Sequence, residues 1–207
     1  MTSRVILFGG SFNPVHFGHL IAARSAAEQL DASRVVLIPA AAPPHKNAAA
    51  LAAADHRLAM LRLAAEGDPL FEIDELELRR AGPSYTFDTV THFRGRLGEA
   101  VELCWIIGAD SLPELAGWRR IDELVRVARI ITVVRPGTVF GELSALTGRI
   151  GRPAVDALLA DRLDTPAIEI SASDIRARLA AGRSIRYLTP QAVVDYILRH
   201  GLYAAAG

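Results

Sequence analysis

Four short runs, Arg4–Phe8, Arg34–Ile38, Val101–Ile107 and Arg129–Val134, are almost wholly apolar and rich in β-branched residues. A strand that is apolar at nearly every position needs cover on both faces, which points to a parallel sheet with helices on either side. The intervening stretches supply those helices. After a loop at Ser11–Phe17, Leu20, Ala23, Ala27 and Leu30 share one helical face. Asp55–Ala65 reads as a second helix, with Leu58, Leu61 and Ala65 inward and Asp55 as N-cap, and Thr86–Leu97 as a third. Phe71–Leu78 alternates acidic and apolar residues, as a strand near a sheet edge does, and the Ala- and Pro-rich stretch Pro39–Ala54 reads as a loop. Strand–helix alternation of this kind predicts an α/β, doubly wound parallel sheet whose ligands sit at the carboxyl ends of the strands.

The pattern weakens over Gly137–Thr165, where one irregular helix around Ala154–Leu163 is expected. Two short helices close the chain, Ser173–Ala181 before Gly182 and Pro190–His200 before Gly201. With 207 residues, 51% of them hydrophobic, the chain reads as one domain, 1–207, with a small C-terminal helical segment. Its 23 basic and 23 acidic residues cancel, so no global field recruits nucleic acid or an anionic membrane, and phosphate recognition has to be local. Cys104, the sole cysteine, excludes an internal disulfide and reads as an inert core thiol. No apolar run approaches the roughly 20 residues of a membrane helix and no signal sequence is legible, so the expected compartment is the cytoplasm. A homo-oligomer is left open.

The chemistry concentrates at the end of the first strand, in Gly9-Gly10-Ser11-Phe12-Asn13-Pro14-Val15-His16-Phe17-Gly18-His19. Paired glycines let backbone approach a phosphate closely, and the next helix start offers free N–H groups and a positive dipole end. His16 and His19 can point the same way there and bond phosphate oxygens. A glycine pair alone is usually only a tight turn, and a histidine pair without cysteine or carboxylate neighbours is a poor metal site. G-x-G-x-x-G and G-x-x-x-x-G-K-[ST] are both absent, which argues against a dinucleotide-dependent dehydrogenase and a P-loop enzyme. A second helix start, Ile170-Ser171-Ala172-Ser173-Asp174-Ile175-Arg176, offers Ser173 as N-cap and Arg176 on the same first turn.

The first string resembles the G-G-x-F-x-P-x-H-x-G-H signature of the nucleotidylyltransferase superfamily, and the second its I-S-S-[ST]-x-I-R motif, with Ala172 in place of the middle serine. That resemblance implies a Rossmann-like nucleotidylyltransferase fold. It also implies that His16, His19 and Arg176 are the catalytic residues and, with Gly9, Gly10, Ser11, Phe12, Gly108, Asp110 and Ser173, bind ATP. Class I aminoacyl-tRNA synthetases share the histidine pair but need the lysine-rich K-M-S-K-S loop, and Lys46 is the only lysine here.

Features between the motifs resemble bacterial nicotinate-nucleotide adenylyltransferases. Pro43-Pro44-His45-Lys46 is similar to their P-P-H-[KR] loop, Ser84-Tyr85-Thr86-Phe87-Asp88-Thr89 to [SP]-Y-T-x-D-T, Gly108-Ala109-Asp110-Ser111-Leu112 with Trp118 to G-x-D-x-L…W, and Arg135-Pro136-Gly137 to R-P-G. The C-terminal stretch Ser184–Leu188, with Val193, Tyr196, Ile197 and Gly201–Tyr203, also follows the family, so only Gly137–Thr165 lies outside the resemblance. By this resemblance Asn13, Lys46, Ser84, Tyr85, Thr86, Trp118 and Arg135 bind the mononucleotide. Backbone N–H groups at Tyr85 and Thr86 would receive the nicotinate carboxylate, and Trp118 would stack on the pyridine ring. The expected substrates are ATP, carrying Mg2+, and nicotinate mononucleotide, with no dedicated metal site in the protein. Phosphopantetheine adenylyltransferases, which resemble the first motif, are distinctly shorter and lack the Tyr-Thr and Trp features. The rivals are an adenylyltransferase for another phosphate, such as nicotinamide mononucleotide or phosphopantetheine, and a non-catalytic nucleotide-binding or regulatory module.

Overall fold

The computed structural model describes residues 3–43, 51–134, 138 and 140–205. Within them β1 (Ser3–Gly10), β2 (Arg34–Pro39), β3 (Phe71–Ile73), β4 (Val101–Gly108), β5 (Arg129–Val134) and β6 (Arg162–Asp164) form one sheet in the order β3-β2-β1-β4-β5-β6. Every pairing is parallel. This is the doubly wound arrangement expected from the apolar runs. The order reverses between β1 and β4, and the carboxyl ends of those two strands define the crevice where such sheets take ligands.

Pleating divides the strand residues between two cores. Ile6, Val35, Leu37, Cys104, Ile106 and Ile131 pack on one side against α1 (Phe17–Gln29), α2 (Ala54–Ala65), α8 (Ala172–Ala180) and α9 (Gln191–Arg199). Val5, Leu7, Val36, Leu103, Trp105 and Ile130 face the other side and meet α4 (Thr86–Leu97), α5 (Ile121–Val127), α6 (Ser144–Ile150) and α7 (Arg152–Ala160). Both faces are covered, so neither carries the polar alternation of a one-sided sheet.

Several local expectations are corrected. Phe71–Leu78 is a strand only as far as Ile73, at the edge as expected. The Asp74 carboxylate then accepts the Leu76 N–H (2.9 Å), which turns the chain into the short helix α3 (Leu76–Arg79). The single helix expected around Ala154–Leu163 is two, α6 and α7, meeting at Gly151, whose φ of +81° favours a residue without Cβ. Asp55 is not an N-cap: Ala53 holds that position, and Asp55 lies in the first turn, where its charge favours the helix dipole. In α8 the cap is Ser171, whose Oγ accepts the Asp174 N–H (3.0 Å), and not Ser173.

Candidate active site

A cleft of about 1450 Å³ opens over the carboxyl ends of β1 and β4. One wall is the loop from β1 into α1. Gly9 is required by packing, because a Cβ there would lie 2.4 Å from the Trp105 ring of β4. Phe12, in the left-handed region at φ 44°, is buried and sets its ring against that of His19, with centroids 5.1 Å apart. His16 caps α1 in a reciprocal arrangement with His19: the His16 N–H donates to His19 Nδ1 at 3.3 Å, and the two rings stack at 3.7 Å. A His19 ring that accepts at Nδ1 carries its proton on Nε2 when neutral, the form that can donate to a phosphate oxygen.

The opposite wall is the start of α8. Gly18 approaches it so closely that a Cβ would sit 3.3 Å from the Ile170 carbonyl. Freed from capping, Ser173 presents its Oγ to Arg176 Nη2 (3.2 Å), while Arg176 Nη1 donates to the Asn13 carbonyl (2.8 Å). Thus Arg176 ties the two sequence motifs together across 163 positions of chain. The positive ends of α1 and α8 meet at one place, a site suited to several phosphates.

Gly108, Asp110 and Trp118 line the same cleft, with Ser84, Tyr85 and Thr86 farther along. The Asp110 carboxylate leans over Gly108, 2.6 Å from where a Cβ would stand. Ser84 is largely committed within the fold: its Oγ accepts from the Ala41 and Ala42 N–H groups (3.0 and 3.3 Å) and its N–H donates to the Ala42 carbonyl. Tyr85 is the N-cap of α4, but its own N–H turns back onto the Pro83 carbonyl (3.0 Å). The donors that α4 offers an anion therefore begin with Thr86, one residue later than expected. Lys46 and Arg135 lie outside the described residues.

Three contributors were not anticipated from the sequence. Glu77 is buried beneath the Ser84–Thr86 segment and accepts from Thr89 Oγ1 at 2.6 Å. Burial raises its carboxyl above the ordinary range, opposed by hydrogen bonds from Thr89 and Ser84 and by the charge of Arg80. Tyr203, near the end of the chain, donates to Asn13 Oδ1 (2.7 Å), which also accepts the Ala52 N–H (3.0 Å). Arg57, fully buried in α2, donates to the carbonyls of Ser11, Ala40 and Ala52 at 2.7–3.0 Å. Only Arg57 left a signal, standing four residues before inward Leu61.

Fold and site together define a nucleotide-handling α/β protein, and a family model described as cytidylyltransferase-like matches residues 7–178. Nearer relatives narrow the class. A Thermomicrobium roseum protein is 42% identical over 97% of this chain and 92% of its own, and one from Thermus thermophilus is 43% identical over 97% and 99%. Both bear the name "Probable nicotinate-nucleotide adenylyltransferase". A solved Plasmodium falciparum nicotinic acid mononucleotide adenylyltransferase, complexed with NaAD, superposes with a TM-score of 0.76 over 97% of both chains. At 16% identity it is similar in fold alone. The chain belongs to the nicotinate-nucleotide adenylyltransferase family.

Proposed function

We propose that this protein transfers the adenylyl group of ATP to nicotinate mononucleotide, giving nicotinate adenine dinucleotide and pyrophosphate, a step of NAD biosynthesis. The observation that carries the reading is the Arg176–Asn13 bond, which brings two helix N-termini, a histidine pair and a guanidinium together at the switch point of the sheet. Family membership supplies the substrates.

The chemistry needs little beyond placement and charge. A mononucleotide phosphate oxygen attacks the α-phosphorus of ATP, and the bond from that phosphorus to the oxygen bridging to the β-phosphate breaks. The nucleophile is already ionised at neutral pH, so no serine, cysteine or general base has to be activated. His16, His19, Ser173 and Arg176 hold the triphosphate and meet the charge that grows on departing pyrophosphate. Magnesium arrives as part of the MgATP substrate, and the reaction is assigned to the cytoplasm.

At the acceptor end, the helix dipole of α4 and the N–H groups from Thr86 onward supply donors only. A carboxylate accepts them, whereas the NH₂ of a nicotinamide would face another donor, so discrimination of about 10²-fold or more is expected. Pyrophosphate release should be measured from MgATP with nicotinate mononucleotide, nicotinamide mononucleotide or phosphopantetheine as acceptor. The reading expects kcat/KM to be highest by far for nicotinate mononucleotide. Equal values for the two pyridine mononucleotides would refute the donor-only pocket, and preference for phosphopantetheine would refute the substrate assignment.

A further inference from the structure

Arg57 is in an unusual position for a cation. Its side chain is 1% exposed, and it stands near the start of α2, where the helix dipole repels positive charge. Its three hydrogen bonds go to peptide carbonyls, and it makes no ion pair among the described residues. Nor can the remaining residues supply a carboxylate side chain, because none of them is Asp or Glu. Burial lowers the pKa of the guanidinium, yet arginine starts so high that it stays charged. A buried cation balanced only by carbonyl dipoles costs stability unless another benefit offsets it.

The carbonyls it binds suggest the benefit. They belong to the β1–α1 loop, the end of β2 and the approach to α2, three separate segments beside the cleft. In a trans peptide the C=O and N–H point in opposite directions. By holding the Ala40 carbonyl, Arg57 turns the Ala41 N–H outward to the Ser84 hydroxyl. Holding the Ser11 carbonyl turns the Phe12 N–H away from Arg57 in the same manner, and Phe12 lines the cleft.

We propose that Arg57 is a positioning residue for substrate phosphates, orienting the Ser11–Phe12 peptide from beneath and lending the cleft a permanent, water-shielded positive charge. The proposal rests on the reading of the cleft as the ATP site. A unit charge within roughly 8 Å of a phosphate, at an effective dielectric near 20, changes affinity by about tenfold or more.

The test is calorimetric binding of MgATP, without acceptor, to the wild type, Arg57→Gln and Arg57→Lys between pH 6.5 and 9.5, with far-UV circular dichroism as the check on folding. Arg57→Gln should weaken binding about tenfold or more. Arg57→Lys should bind close to wild type at low pH and fall toward the glutamine variant as pH rises, since a buried lysine gives up its proton well below its usual range. Each variant is compared with wild type at the same pH, which cancels titration of the histidine pair. Among the described residues, the titratable and charged side chains around Arg57 are His16 and His19 where the β1–α1 loop enters α1, Asp55 and His56 on α2, and Tyr196 and His200 against His56. Arg176 stands beside Tyr203, which burial keeps neutral in this range, and the sequence between Ala40 and Ala52 adds His45 and Lys46. If glutamine fails to fold, the pH profile of the lysine variant still decides. Folded Arg57→Gln that binds MgATP within twofold of wild type would overturn the proposal, as would a lysine deficit that does not change with pH. Wild type that binds no MgATP would instead refute the underlying reading of the cleft.

Discussion

Replacing Asn13 with alanine tests how the Tyr203 segment braces the loop between β1 and α1. Asn13 is 3% exposed, and its Oδ1 accepts two hydrogen bonds, from Ala52 N–H and from the Tyr203 hydroxyl. Asn13→Ala removes the acceptor and leaves two donors behind. Ala52 and Tyr203 are half-buried, so each stranded donor costs about 1–2 kcal/mol, near the low end for unsatisfied groups. The sum is about 3 kcal/mol. Tyr203→Phe deletes only one donor and leaves Oδ1 bonded to Ala52, so it should cost about 1 kcal/mol. Urea unfolding followed by circular dichroism gives both values, with a fall of about 6–12 °C in Tm expected for Asn13→Ala in a domain of this size. Asn13→Ala keeps the backbone carbonyl that accepts from Arg176, but without the side-chain bracing that carbonyl is held less firmly, so MgATP binding should also weaken. The bracing account fails if Asn13→Ala costs under about 0.5 kcal/mol, or if Tyr203→Phe costs as much as Asn13→Ala.

His19→Ala should keep its fold and lose about 10²–10³ in kcat, because the ring meets charge mainly as pyrophosphate departs; more than a third of wild-type kcat, with chemistry rate-limiting, would remove His19 from the catalytic set. Cys104 yields a pH prediction. Burial pushes its thiol from 9.0 up to about 12, so the unfolded chain ionises there before the native protein does. Its contribution to stability is therefore complete below pH 9 and is lost as pH rises toward about 12. Urea midpoints across that range should fall less steeply for Cys104→Ala than for wild type, and identical slopes would contradict the burial.

The strands and the first motif were legible because their signals are local. A strand covered on both faces must be apolar throughout, and the eleven-residue string from Gly9 to His19 is far more specific than the glycine pair or histidine pair alone. Beyond that, local pattern was ambiguous. Glu75 to Leu78 alternates as well for an edge strand as for a turn of helix, and the choice fell to the Asp74 side chain, which caps the strand. Ser171 and Ser173 are equally good caps by type, and the contest is decided by Arg176, which takes Ser173 for itself. Glu77 was hidden because an acidic residue in an alternating edge strand is normally assigned to water, and Arg57 because its place on the inward face of its helix was outweighed by its charge. Tyr203 could not be placed from sequence, since its partner Asn13 lies 190 positions away.

The central claim is that one cleft joins AMP to nicotinate mononucleotide in a single displacement. Incubating the protein with nicotinate mononucleotide and MgATP labelled at the α-phosphate, and in parallel with the labelled MgATP alone, then resolving small molecules from protein, measures this directly. The account predicts that the label moves into nicotinate adenine dinucleotide, in step with pyrophosphate release, while the polypeptide carries none at any time. Label trapped covalently on the protein and chased into product by nicotinate mononucleotide, or pyrophosphate released without labelled dinucleotide, would contradict it.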